Sequence, residues 1–303
     1  MEEYDIIIIG GGPAGLTAAI YGARAGKKVL VLEGKALGGQ IVNALDVQNY
    51  PGFSSVSGVE LASNMYNQVL QFGGEVKFER AMGIKDKIVR TDGGEYKAKA
   101  IILATGAENR KLGLYGEDKL VGKGVSYCAT CDGNFYKDKI VAVVGGGNTA
   151  LEDAVYLAGI AKKVYLIHRR DEFRGDAENV KRVKELKNIE LVMRANVREI
   201  LGDEKVSGLV VEVQDGDDSK ETSERELEVD GVFFAIGYEP QAGEFADSVK
   251  LDKDGYIETK DGVHTSTEGI YVAGDARAKE LKQLVTATSD GAMAADAAIK
   301  EME

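Results

Sequence analysis

Cys128 and Cys131 frame the run Cys128-Ala129-Thr130-Cys131, and Asp132 follows directly. Two residues between cysteines allow a small disulfide ring whose sulfurs can exchange with those of another protein, and a helix N-terminus at such a pair favours the thiolate. Zinc would need four ligands. The chain's histidines, His168 and His264, are distant and not in finger spacing, so no metal site is expected. Two inert buried thiols are the other alternative. Asp132 stands before Gly133, so the pair ends in a turn where its carboxyl could act as proton donor to a thiolate, or could merely cap a helix.

Two glycine-rich loops accompany the pair, Gly10-Gly11-Gly12-Pro13-Ala14-Gly15 and Gly145-Gly146-Gly147-Asn148-Thr149-Ala150. In such a loop the first glycine permits the tight turn, the second admits a pyrophosphate close to the backbone, and the third position allows close helix packing. The helix N-terminus then holds the anion. Gly10, Gly12, Pro13, Ala14 and Gly15 are therefore candidates for one dinucleotide, and Gly145, Gly147, Asn148, Thr149 and Ala150 for another.

These loops need a strand before and a helix after. Residues 5–9 and 140–144 are apolar runs that read as buried parallel strands, and helical spacing follows over 14–25 and 149–158. Second strands at 28–33 and 163–168 complete two βαβ units, with Gly10 in register with Gly145. Two later segments, 100–106 and 232–237, end in Ala104-Thr105-Gly106 and Ala235-Ile236-Gly237, and each is expected to close its own unit; Thr105, Gly106, Ile236 and Gly237 join the cofactor-binding candidates. After Gly237 no third unit begins: a short strand runs into Ala273-Gly274-Asp275, and a final helix starts near Gln283. The predicted class is α/β, with two Rossmann-like (βαβ) nucleotide-binding domains, the second (114–242) inserted into the first (1–113 and 243–303). The crossings near 112–116 and 237–243 contain glycine and are expected hinges, and the polar stretch 214–228 is expected to be a solvated hairpin turn.

The ends of the second strands differ in charge. Glu33 can accept hydrogen bonds from a ribose diol and would repel an added phosphate, which suits the adenosine of FAD or NAD. His168, Arg169, Arg170 and Arg174 put cations where a 2′-phosphate would sit, which favours NADPH over NADH. A net charge of −12 and sparse, scattered aromatics argue against a nucleic-acid partner. No apolar stretch reaches the ~18 residues that cross a bilayer, and Glu2 and Glu3 lead straight into a strand without a targeting signal; a cytoplasmic protein with no membrane association is expected.

Taken together, Gly-Gly-Gly-Pro-Ala-Gly, Cys-Ala-Thr-Cys-Asp, Gly-Gly-Gly-Asn-Thr-Ala, His-Arg-Arg-x-x-x-Arg and Ala-Gly-Asp resemble the motifs of the low-molecular-weight bacterial thioredoxin reductases, over nearly the whole chain. The resemblance implies a homodimer whose subunits bind FAD and NADPH. Hydride would pass from nicotinamide to flavin, electrons to a Cys128–Cys131 disulfide, and the dithiol would reduce thioredoxin or a thioredoxin-like protein. It also implies two alternating domain orientations. By motif, Gly39, Gln40, Asn49, Thr105, Asp275 and Gln283 would contact FAD, with Gly274 beside them and Asp275 on the ribityl chain; Cys131 would lie nearer the isoalloxazine and Asp132 would act as acid. Lys282 departs from the arginine that the family often has, so bidentate bonding there would be lost. A glutaredoxin-like or peroxiredoxin partner, and a non-enzymatic dinucleotide redox sensor, are the competing readings.

Overall fold

The computed structural model describes residues 1–44, 46–214 and 221–303. The chain forms two compact units, Met1–Glu108 with Glu239–Glu303, and Asn109–Tyr238. The first begins with β1 (Glu2–Ile9), α1 (Pro13–Arg24), β2 (Val29–Leu32), α2 (Gly58–Gln71) and β3 (Glu75–Lys77). A meander of β4 (Ala81–Lys85), β5 (Ile88–Thr91) and β6 (Glu95–Leu103) follows, and β6 returns to lie parallel to β1 in the order β3-β2-β1-β6-β5-β4. The run Ile6 to Ile9 is buried throughout because the sheet is covered on both faces: Ile6 and Ile8 meet the helices, Ile7 and Ile9 the opposite layer.

After β7 (Ala107–Asn109) the second unit repeats this plan. It contains β8 (Val125–Ser126), α3 (Ala129–Asp132), β9 (Ile140–Gly145), α4 (Asn148–Ala158), β10 (Lys163–His168), α5 (Ala177–Glu185) and β11 (Ile189–Met193). An antiparallel sheet of β12 (Ala195–Leu201), β13 (Gly208–Gln214) and β14 (Thr222–Glu228) precedes β15 (Gly231–Ala235), and the parallel sheet has the order β11-β10-β9-β15-β8. The duplication extends to register: Ile6 pairs with Val29, and the residues 135 positions later, Val141 and Val164, also pair. The chain then passes through β16 (Tyr238–Pro240), which pairs with β7, to β17 (Ile270–Val272) on β6 and the long helix α6 (Leu284–Glu301). Each unit thus has five parallel strands, the fifth (β17 or β8) added beside β6 or β15.

Three features differ from expectation. The units divide after Glu108 and Tyr238, earlier than residues 113 and 242. The cause is Glu117, buried at 2% exposure, whose carboxylate accepts the backbone N–H groups of Leu112, Gly113 and Leu114 and the Tyr127 hydroxyl. A segment tied by three hydrogen bonds to one buried carboxylate, itself held by the Tyr127 hydroxyl, is a brace, not a free joint. At the other crossing Ala242 is fully buried in the first unit's core. Finally, part of the polar stretch 214–228 is strand rather than turn: Thr222–Glu228 pairs antiparallel with Gly208–Gln214, while residues 215–220 of that stretch lie outside the described residues.

Candidate functional site

In the first unit the chemistry collects at the carboxyl ends of the parallel strands. Gly10 has φ +110, and a Cβ there would lie 2.3 Å from the Ala104 carbonyl; one on Gly15 would lie 1.9 Å from the Gly10 carbonyl. The first contact brings the turn against the end of β6, and the second lets α1 seat directly on the turn. A Cβ on Gly12, by contrast, would meet nothing nearer than Gly39 Cα at 4.0 Å, and α1 begins at Pro13 with no side-chain cap. The uncapped N-terminal amides therefore face open space that an anion can fill. Glu33 is 9% exposed, its two oxygens accepting Gly11 N–H and Lys35 N–H, each at 2.7 Å. Each oxygen retains a lone pair for a diol.

The segments implied by the family motif converge on this loop. Gln40 donates to the Ala107 carbonyl, and the Asn49 amide donates to Gln283 Oε1 at 3.1 Å across 234 positions of sequence. Gln283 caps α6 in a reciprocal box with Thr286. A Cβ on Gly274 would meet Ala14 Cβ at 2.8 Å, so the Gly274-Asp275 corner abuts the start of α1. Gly106 has φ +70 with open space beside it. Two buried polar atoms here, Thr105 Oγ1 and Asp275 Oδ1, have no hydrogen-bond partner among the described residues. Lys279 Nζ stands 2.9 Å from Asp275 Oδ1 but off hydrogen-bonding geometry. A buried hydroxyl without a hydrogen-bond partner and a carboxylate oxygen held by an ion pair alone, beside an open, uncapped helix start, fit a polar dinucleotide chain such as that of FAD. Lys282 donates to the Lys279 carbonyl at 3.2 Å and lies 4.5 Å over the Tyr256 ring, and burial lowers its pKa.

The second unit repeats the loop. Gly145 has φ +156 with a would-be Cβ 2.4 Å from the Ala235 carbonyl, while Gly147 faces open space at the uncapped start of α4. Ala150, at the third position, is fully buried, and Thr149 is exposed. Asn148 exchanges two hydrogen bonds with Asp176, and Arg174 N–H donates to the Gly146 carbonyl at 2.7 Å, so the segment after β10 is anchored on the loop. Arg169, Arg170 and Arg174 are exposed and form no ion pair with any described residue. Three uncompensated guanidinium groups held beside a phosphate loop suit an added phosphate. Ile236 is half-buried, and Gly237, with φ +107, accepts from Arg110 N–H.

His168 does not belong among these cations. Its ring is 4% exposed, stacks on Phe173, shares a 3.1 Å contact with the Glu172 carbonyl, and occupies the space into which a Gly146 Cβ would project. Burial, reinforced by the neighbouring arginines, lowers its pKa, so it supports the loop as a neutral ring.

Cys128 and Cys131 form a disulfide spanning α3, with Cys131 exposed and Cys128 half-buried. Cys128 is the N-cap of α3, its sulfur accepting Cys131 N–H at 3.2 Å. Asp132 closes this turn. Burial pushes its carboxyl above the usual carboxylate range, and a hydrogen bond from Ser126 partly offsets that rise. The partner of Asp132 is thus the Ser126 hydroxyl at 2.6 Å, not a cysteine sulfur. Sequence reasoning missed Ser126; its only signal was a small polar residue at the end of a short apolar strand. It also missed Arg277, Lys279 and Asp290, a buried ion cluster reaching Asp275. Among the described residues no group of three His, Cys, Asp or Glu side chains could hold a metal ion, and no helix is long and apolar enough to cross a membrane.

A disulfide beside a protonatable carboxyl, in a chain with two dinucleotide-type loops, defines a disulfide oxidoreductase class. Residues 4–291 match the family model described as pyridine nucleotide-disulphide oxidoreductase, and the chain belongs to that family. It is 44% identical over 296 residues to a curated protein named thioredoxin reductase from Bacillus subtilis (strain 168), covering 96% of this chain and 92% of that one. Among solved structures it is similar to thioredoxin reductase from Streptococcus pyogenes, at 40% identity and TM-score 0.92, covering 99% of this chain and 98% of that one. It is also similar to thioredoxin reductase from Giardia duodenalis, at 35% identity and TM-score 0.91, covering 100% and 99%.

Proposed function

We propose that the chain is an NADPH-dependent thioredoxin-disulfide reductase. The observation that carries this reading is the Cys128–Cys131 disulfide set beside a half-buried Asp132 whose carboxyl is pushed above the usual carboxylate range, in the same unit as three arginines that form no ion pair with any described residue. FAD supplies the two-electron relay between a nicotinamide and a disulfide. The first unit would hold it: α1 amides at the pyrophosphate, Glu33 at the adenosine ribose, and Thr105 and Asp275 at the remaining polar chain, with Gly39, Gln40, Asn49 and Gln283 around it. The second unit would hold NADPH through the α4 amides, with Arg169, Arg170 and Arg174 on the 2′-phosphate. Asp132 would donate and recover the proton that a cysteine sulfur exchanges. Full-length similarity to proteins named thioredoxin reductase supports thioredoxin as the partner, and a cytoplasmic homodimer completes the proposal.

The test is direct. Purified protein should be yellow, anaerobic NADPH should bleach its flavin band, and NADPH oxidation should depend on added thioredoxin. Replacing Cys128 or Cys131 with serine should abolish thioredoxin reduction and leave the bleaching intact. A protein that neither carries nor binds FAD, or one reduced only by another donor, would refute the proposal.

A further inference from the structure

Ser126 ends β8 and is 3% exposed, yet its hydroxyl meets three polar groups of the redox turn. It lies 2.6 Å from Asp132 Oδ2, accepts Cys128 N–H at 3.1 Å, and has the Cys128 carbonyl 3.4 Å away. A hydroxyl has one proton to give and two lone pairs with which to accept. Cys128 N–H occupies one lone pair permanently, which leaves the proton two destinations, the Asp132 carboxylate or the Cys128 carbonyl.

We infer that Ser126 is a positioning residue for the thiol–disulfide chemistry: a hydroxyl rotor that keeps Asp132 hydrogen-bonded to the Cys128 turn in both of its protonation states. When Asp132 is ionised, Ser126 donates to Oδ2. When Asp132 is protonated, the acid donates to Ser126 Oγ and the serine proton swings to the Cys128 carbonyl. Both arrangements use only atoms already in contact, so the carboxyl need not move as the proton comes and goes.

This inference rests on the proposed role of Asp132 as acid. In the exchange, a cysteine thiolate bonds one sulfur of the partner disulfide and the partner's S–S bond breaks. The second cysteine then gives up its proton, displaces the remaining partner sulfur and re-forms the Cys128–Cys131 bond. Two electrons leave with the partner, and two protons must reach its sulfurs. A carboxyl that serves this traffic must pass repeatedly between its two forms without losing its orientation.

Other titratable groups face the turn. Tyr136 follows it, its phenol pushed up to about 12 by burial and the Asp132 charge; Asp153 lies on α4, packed against α3, with burial lifting it to about 7; Glu117 holds the Tyr127 hydroxyl next to Ser126. Asp153 titrates in the working range, so its contribution has to be separated.

The experiment is the pH profile of thioredoxin reduction by the NADPH-supplied holoenzyme, over roughly pH 5 to 9. It compares wild type, Ser126→Ala, Ser126→Thr, Asp132→Asn and Asp153→Asn, the last also combined with Ser126→Ala. The limb due to Asp132 is the one that Asp132→Asn removes. Ser126→Ala should move that limb upward by up to about one pH unit, because the charge-assisted bond lost from the carboxylate is stronger than the bond lost from the neutral acid. Ser126→Thr, which keeps a hydroxyl, should restore it, and the shift should persist in the Asp153→Asn background. A limb lost in Asp132→Asn but unmoved in Ser126→Ala overturns the rotor alone. A limb that survives Asp132→Asn overturns the acid assignment and the rotor with it. Should Ser126→Ala not fold, isotope-edited infrared spectra of wild-type Asp132 decide the matter: a hydrogen-bonded carboxylic acid stretch at low pH supports the rotor, and a free one overturns it.

Discussion

Replacing Lys279 with methionine probes the ion cluster beneath the Gly274-Asp275 corner of the first unit. Lys279 Nζ is 3.0 Å from Asp290 Oδ2 and 2.9 Å from Asp275 Oδ1, with its side chain only 7% exposed. Asp290 keeps good company after the change. Arg277 grips it through Nε and Nη2 at 3.1 and 2.7 Å, and Gly274 N–H donates at 3.2 Å. Asp275 fares worse: among the described residues its buried Oδ1 lacks a hydrogen bond, Lys279 is the cation paired with it, and Lys282 adds a further attraction. Removing one partner of a buried ion pair costs about 3 to 5 kcal/mol, and the low end applies because Asp275 retains some contact with water. About 3 kcal/mol lowers the melting temperature of a unit this size by roughly 6 to 12 °C. The assay is urea and thermal unfolding of Lys279→Met in the wild-type and Asp275→Asn backgrounds. The cost should fall to less than half in the latter, where no charge is stranded. A loss below about 1 kcal/mol, or one equal in both backgrounds, would refute the reasoning.

Neutralising Arg169, Arg170 and Arg174 together should erode the preference for NADPH over NADH by about two orders of magnitude, from three exposed phosphate contacts worth about 1 kcal/mol each. Steady-state kcat/KM for both coenzymes reads this; equal losses for both would remove phosphate recognition as the explanation. A second pH effect belongs to His264, whose ring nitrogens lie 2.6 Å from Asp261 and 2.7 Å from Glu301, with Tyr271 also donating to Glu301. The two carboxylates raise its pKa despite the opposing effect of burial. Its contribution to stability is thus complete below the unfolded value near 6.5 and is lost as pH rises through the folded one. His264→Gln should therefore destabilise the protein more at about pH 6 than at about pH 9, and unfolding at the two pH values checks it.

The parts legible in the sequence were those whose physics is local. Gly10, Gly15 and Gly145 stand where a Cβ would strike backbone, and the buried runs around Ile7 and Val143 admit only apolar side chains, so turn, strand and repeat could be read directly. What escaped was set by distant partners. β8 has two residues and no periodicity; only its pairing with β15 makes it a strand. Asp290 in an alanine-rich helix reads as a surface charge until Arg277 and Lys279 reach it. His168 beside two arginines reads as a third cation, although its ring is buried against Phe173. Glu117 moved a boundary because one carboxylate can gather three amides that composition cannot reveal.

The fifth parallel strand has a further meaning. In one copy β17 leads into Gly274 and Asp275; in the other the corresponding strand, β8, leads into the two cysteines. Equivalent corners of a doubled architecture thus differ, one ending in a carboxylate held in an ion cluster and the other in the disulfide. Because β8 is the outermost strand of its sheet, joined to the rest through β15 alone, the reactive segment is mounted on a rim. A lineage could acquire, reshape or discard such an attachment while the four other parallel strands behind it stayed whole.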